Sequence, residues 1–149
     1  VFYIGGTKVG AMFGEAVAFS GMKAPKHFFT TVKRHGALLA KGRMLGLQFD
    51  TLFTDDLYFK VSRHAMAMAS RIREVFSKHG IAMAYDSPTN QQFVILSPTL
   101  YQSLSKEVAF EVWERKGETE MVCRFVTSWA TKEEEVEELD RILQRLIHK

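Results

Sequence analysis

One lysine stands in a run of very small residues, Tyr3-Ile4-Gly5-Gly6-Thr7-Lys8-Val9-Gly10, with apolar residues before it and an apolar run from Val9 to Phe19 after it. Glycine lets the backbone pass close to a bulky ligand and adopt conformations that other residues avoid. A strand feeding a tight turn here would deliver Lys8 into a cavity, where desolvation disfavours the charged amine. Such an amine attacks carbonyl groups, the chemistry of Schiff-base lysines. A phosphate-cradling loop is excluded by spacing: that loop needs four residues between its glycines and then Gly-Lys-Ser/Thr, whereas Lys8 lies between Thr7 and Val9. The alternative is a solvated lysine at a strand end.

The second chemical residue lies in Met121–Ser128, which reads as a strand. Side chains alternate between the faces of a strand. Met121, Cys123, Phe125 and Thr127 share one side; Val122, Arg124 and Val126 share the other. A guanidinium between two valines either reaches for water at a sheet edge, forms a structural ion pair, or is held for an anion. Arginine grips a carboxylate through two parallel hydrogen bonds, which fixes orientation as well as binding.

Four stretches carry a resemblance. They are Gly5-Gly6-Thr7-Lys8-Val9-Gly10-Ala11-Met12-Phe13-Gly14-Glu15-Ala16, Arg34-His35-Gly36-Ala37-Leu38-Leu39-Ala40-Lys41-Gly42, Asp86-Ser87-Pro88-Thr89-Asn90-Gln91, and Arg124-Phe125-Val126-Thr127-Ser128-Trp129-Ala130-Thr131. Together they resemble, in order and over nearly the whole chain, the C-terminal part of the threonine aldolase and β-eliminating lyase family. These are pyridoxal phosphate enzymes of the aspartate-aminotransferase fold.

The resemblance implies that Lys8 is the catalytic and cofactor-binding lysine and that Arg124 holds the substrate α-carboxylate. It implies that Lys33 and Arg34 approach the cofactor phosphate of an adjoining subunit; the alternative for both is a solvated basic turn of helix. It implies retro-aldol cleavage of threonine or allo-threonine to glycine and acetaldehyde. Ser128 stands where many members have histidine, and Trp129-Ala130 replaces a Leu/Tyr-Asp pair. The β-eliminating and aminotransferase-like reactions therefore remain alternatives, as does a non-catalytic α/β oligomerisation module.

The family's enzymes are more than twice this long. Their glycine-rich phosphate loop, ring-stacking residue and pyridine-nitrogen aspartate have no counterpart in these residues. The chain thus reads as a C-terminal fragment, inactive alone, whose partners are the N-terminal remainder, a small amino-acid substrate and further copies in a homodimer or homotetramer.

The rest of the composition agrees with an enzyme of the cytoplasm. The 149 residues suffice for a good core, and 46% hydrophobic with 25% charged residues indicates a globular chain. A net charge of +3 without a basic block gives no nucleic-acid footprint. The single Cys123 excludes an internal disulfide and fits a reducing compartment. The Val9–Met22 run is too short to span a bilayer and contains Glu15, so no membrane role is expected. His35 has no partner at metal-ligand spacing, so no metal site is expected.

The elements that must position these residues follow from periodicity and punctuation. The expected fold is α/β, the C-terminal portion of a PLP-dependent transferase-like fold. Residues 1–25 would end the large domain, 26–53 would form a connecting helix, and 54–149 a small domain with a mainly antiparallel sheet. Val9–Phe19 reads as buried strand, with a helical option from Met12 to Ala18. Pro25 marks a break before a predicted helix from Lys26 to about Phe49. Thr54 or Asp55 caps a helix with Leu57, Val61, Ala65, Met68, Ile72 and Val75 on one face, closed by Gly80. Strands are predicted at Ile81–Tyr85, Gln92–Leu96, Val108–Trp113 and Met121–Ser128, with a short helix from Pro98. Thr131 and Glu134 would form a capping box for a last helix facing inward through Val136, Leu139, Ile142, Leu143 and Leu146.

Overall fold

The computed structural model describes residues 1–147, which divide into two compact units, the first ending at Val61 and the second beginning at Ser62. In the first, strands β1 (Phe2–Gly5) and β2 (Glu15–Ala18) pair antiparallel, with Phe2 opposite Ala18 and Gly5 opposite Glu15. Between them a 3₁₀ turn spans Thr7–Val9. The strand expected from Val9 therefore resumes only at Glu15. Gly10 and Gly14 cause this, because their φ values of 98° and 93° turn the chain back on itself.

The single helix expected over 26–49 is two helices, α1 (Phe28–Arg34) and α2 (Arg43–Phe53). Gly36 ends α1 at φ 71°; its N–H donates to the Lys33 carbonyl, and the Ala37 N–H donates to that of Val32. This is a left-handed glycine stop that satisfies the helix's last carbonyls. A second 3₁₀ turn, Thr54–Asp56, precedes α3 (Leu57–Lys78).

The second unit is helices against a three-stranded sheet. Ala65, Met68, Ala69, Ile72 and Phe76 form the buried stripe of α3, the three- and four-residue spacing of one helix face. Gly80, at φ 70°, closes α3, and the Ile81 N–H reaches the Phe76 carbonyl. Strands β3 (Gln91–Leu96), β4 (Glu111–Lys116) and β5 (Glu120–Val126) lie in the order β3-β5-β4, all antiparallel. The strand expected at Ile81–Tyr85 reduces to one bridge, Met83 to Val94. The strand predicted at Val108–Trp113 sits three residues later, because Val108 and Phe110 pack on the core from the preceding loop.

Helix α4 (Pro98–Leu104) starts at Ser97, whose hydroxyl accepts the Leu100 N–H. Helix α5 (Glu133–Ile147) buries Val136, Leu139, Ile142 and Leu143. Its expected capping box is displaced: Glu135 accepts the Lys132 N–H, and Thr131 instead accepts the Ser128 N–H. Phe76, Val94, Leu96, Leu104 and Leu143 are fully buried at the centre, each contributing about 1.5–3 kcal/mol over exposure. Among the described residues no helix is long and apolar enough to cross a membrane.

Candidate active site

Lys8 lies at the middle of the Thr7–Val9 turn, on a backbone fastened from several sides. The Gly6 carbonyl accepts from the N–H groups of Val9 (3.1 Å) and Ala11 (2.9 Å). Val9 is buried beneath the turn. A Cβ on Gly6 would lie 2.7 Å from that of Ala11 and 3.2 Å from the Phe49 ring, so only glycine allows this close approach. Gln48 of α2 accepts the Met12 N–H at 2.7 Å and donates to the Phe13 carbonyl at 3.3 Å. The Tyr58 hydroxyl donates to the Gly5 carbonyl at 3.2 Å. These contacts hold the main chain while the Lys8 side chain is exposed. The cavity expected around Lys8 is thus not built by its own unit; the turn presents the amine on a surface.

Lys33 and Arg34 occupy the last turn of α1, both exposed. They belong to the same unit as Lys8, whereas Arg124 belongs to the second. Phe2, Tyr3, Met12, Phe13, Val17, Phe29, Leu38 and Leu39 are exposed in the first unit, and Val9 and Leu52 are its buried apolar side chains. A surface so apolar is characteristic of one that is covered in a larger assembly.

Arg124 is not at a sheet edge. It lies on the central strand β5, opposite Phe93 of β3 and Glu111 of β4. The other face of β5 puts Met121, Cys123 and Phe125 into the core, which is the predicted alternation. On its own face the guanidinium lies over the Trp113 ring, 5.0 Å from its centroid. Nη1 donates to Gln91 Oε1 at 3.0 Å, and Nη2 pairs with Glu111 Oε2. Nε is buried without a partner. The fork is thereby fixed in direction, with its outer end towards Gln91 and Glu111.

Gln91 is itself placed by a polar turn. Thr89 Oγ1 accepts the Gln91 N–H, and Asn90 Nδ2 donates to the Thr127 carbonyl at 2.6 Å. Buried Gln92 donates to the Thr89 carbonyl at 2.8 Å, and Arg73 donates to the Ser87 carbonyl at 2.7 Å. The Thr127 hydroxyl donates to the Ala65 carbonyl in α3 at 2.7 Å. Buried polar groups need such partners, and this set ties the turn, β5 and α3 together. In the sequence Gln91 only closes the Asp86–Gln91 stretch; its role beside Arg124, with those of Glu111 and Trp113, depends on strand register, which leaves no local signal. Trp129, which follows β5, is half-exposed.

Other reactive groups on this unit are restrained. Burial pushes the Cys123 thiol up to about 11, so it is not a nucleophile near neutral pH. Its hydrogen bond to Glu114, then burial, raises the Tyr85 hydroxyl above its ordinary value, so it stays protonated as a donor. A cleft of about 430 Å³ lined by Ile72, Val108, Phe125 and Leu139 includes none of the predicted site residues.

No family model matches the chain. It is 29% identical over 143 residues to the low specificity L-threonine aldolase of Pseudomonas aeruginosa, covering 95% of this chain and 40% of that protein. A second low specificity L-threonine aldolase, from a Pseudomonas sp., is 29% identical over 141 residues, with 93% and 40% covered. Among solved structures, the threonine aldolase of Leishmania major superimposes with a TM-score of 0.89 and 36% identity, covering 98% of this chain and 43% of that one. A Sphingomonas wittichii serine palmitoyltransferase shares the fold at a TM-score of 0.55 and 13% identity, over 69% of this chain and 27% of that one. The chain is related to threonine aldolases along nearly all its length, as its motifs led us to expect. It spans about two fifths of the length of the curated relatives it matches.

Proposed function

We propose that this chain contributes the reactive amine and the carboxylate-binding arginine of a threonine aldolase, a pyridoxal phosphate enzyme. The proposed reaction cleaves threonine or allo-threonine to glycine and acetaldehyde. The observation that carries the reading is the match to the Leishmania major enzyme, at 36% identity over 98% of this chain.

The residues present fit the cofactor chemically. Lys8 is a primary amine held out by a pinned turn, which suits an aldehyde. Lys33 and Arg34 are exposed cations ending α1, which suits a phosphate. When bound, pyridoxal phosphate supplies an electron sink for bonds broken at the α-carbon.

The chain's own residues then have distinct tasks. Lys8 would hold the cofactor through its Nζ. Arg124 holds the α-carboxylate, and its fixed fork determines which α-carbon bond is presented for cleavage. The β-hydroxyl gives up its proton as the Cα–Cβ bond breaks, Cβ departs as aldehyde carbon, and Cα takes a proton to become glycine. The exposed apolar surface of the first unit supports burial against the rest of the same enzyme and further copies of it, in a cytoplasmic homo-oligomer.

Incubating the whole protein with threonine, allo-threonine and O-acylated serines tests the assignment. Equal amounts of glycine and acetaldehyde from threonine are expected, and no turnover by the 149-residue chain alone. Pyruvate from the serines with no acetaldehyde from threonine would move the assignment to β-elimination.

A further inference from the structure

We propose that Glu111 is a gate on Arg124, a built-in carboxylate that holds the arginine's outer face until a substrate carboxylate displaces it. This rests on the reading that Arg124 receives the α-carboxylate.

A guanidinium can grip a carboxylate through its two Nη groups or through Nε with one Nη. The second way is closed here, because Nε is buried. The first is in use: Nη1 donates to Gln91 Oε1 at 3.0 Å, and Nη2 pairs with Glu111 Oε2. An arriving carboxylate must therefore take the place of one of them.

Gln91 has the more firmly held backbone. Its N–H is held by Thr89 Oγ1, and neighbouring Asn90 and Gln92 are tied to the Thr127 and Thr89 carbonyls. Glu111 begins β4 and its side chain is 68% exposed, against 24% for Arg124. Arg124 is its ion-pair partner. Glu111 can swing into water without leaving a buried group unpaired, whereas the Gln91 side chain is half-buried on a backbone held by the turn. Trp113 beneath the guanidinium and Gln91 at one end keep Arg124 in place while Glu111 is exchanged.

The gate has a chemical consequence. Glu111 opposes binding of every ligand that offers a carboxylate, and it keeps Arg124 paired when the site is empty. An exposed ion pair of this kind is weak, so the expected competition is modest and exchange is easy.

The test uses Glu111→Gln and Glu111→Ala in the whole protein, with propionate as a carboxylate probe lacking an amine and threonine as substrate. Both variants should bind propionate roughly two- to fivefold more tightly by calorimetry. The threonine KM should fall by the same factor with kcat little changed. Unchanged or weaker propionate binding overturns the gate, since Glu111 would then be a bystander or a residue that positions Arg124. The two readings separate cleanly. Tighter propionate binding in a protein that does not cleave threonine retains the gate and loses the aldolase. Threonine cleavage with unaltered propionate binding does the reverse.

Discussion

Replacing Arg124 with lysine keeps a positive charge but removes the fork. In the native chain the guanidinium spans Gln91 Oε1 and Glu111 Oε2 while lying 5.0 Å from the centroid of Trp113. A lysine ammonium is a point charge and cannot hold Gln91 with one arm while aiming a second donor at a carboxylate. One charge-assisted hydrogen bond nets about 1.5–3 kcal/mol. Losing one arm should thus weaken amino-acid binding about 10- to 150-fold, at ~1.4 kcal/mol per decade.

The structural cost is smaller. The exposed pair with Glu111 is worth about 0.2–1 kcal/mol, and the contact with Trp113 about 0.5–1 kcal/mol; lysine retains part of each. A net loss near ~1 kcal/mol lowers the melting temperature by about 2–4 °C in a chain of this size. The assay is threonine KM and glycine affinity in Arg124→Lys, beside the affinity for pyridoxal phosphate and the melting temperature. A large loss is expected for the amino acid and almost none for the cofactor. Equal losses of both, or a melting point lowered by far more, would show that Arg124 serves the fold.

Two further outcomes follow from the geometry. Gly14→Ala should cost about 1–3 kcal/mol, because φ is 93° and the new Cβ would lie 2.1 Å from Leu45 Cδ2; a melting temperature equal to the parent's would contradict the described turn. The Asp140 carboxyl is held below its ordinary value by hydrogen bonds from Lys78 and then His79. A depressed carboxyl pKa stabilises the fold above the unfolded value, about 3.9, and this is lost as pH falls through the lower folded value. Asp140→Asn should therefore be less stable than the parent at neutral pH, with the gap closing below about pH 4 in denaturant titrations. A gap that persists there would mean the carboxylate charge is not what matters.

Periodicity made much of the second unit legible. Ala65, Met68 and Ile72 on α3, and Val136, Leu139, Ile142 and Leu143 on α5, lie on the faces their spacing predicted. Gly80 ends α3 as expected because a left-handed residue there satisfies the last carbonyls. The same device at Gly36 is hidden from periodicity. Phe28, Val32, Leu38, Leu39 and Leu45 keep near-helical spacing across the break, so periodicity ran through a stop that only backbone geometry enforces.

The alternation of β5 revealed the face of Arg124, but not that β5 is central. Strand order depends on pairing between distant segments, and nothing local in Glu111 or Gln91 announces that both meet one guanidinium. For Lys8 the sequence showed the small-residue turn, while Gln48 and Tyr58, which fasten it from 35 or more positions away, carried no visible signal.

The proposed role of the Lys8 amine as the cofactor's anchor can be tested directly. The direct measurement is mild borohydride reduction of the whole protein with pyridoxal 5′-phosphate, followed by mass mapping of its peptides. One stoichiometric adduct is expected on the peptide containing Lys8, abolished by Lys8→Ala with the melting temperature unchanged. A stoichiometric adduct on another lysine, with Lys8 unmodified, would contradict it.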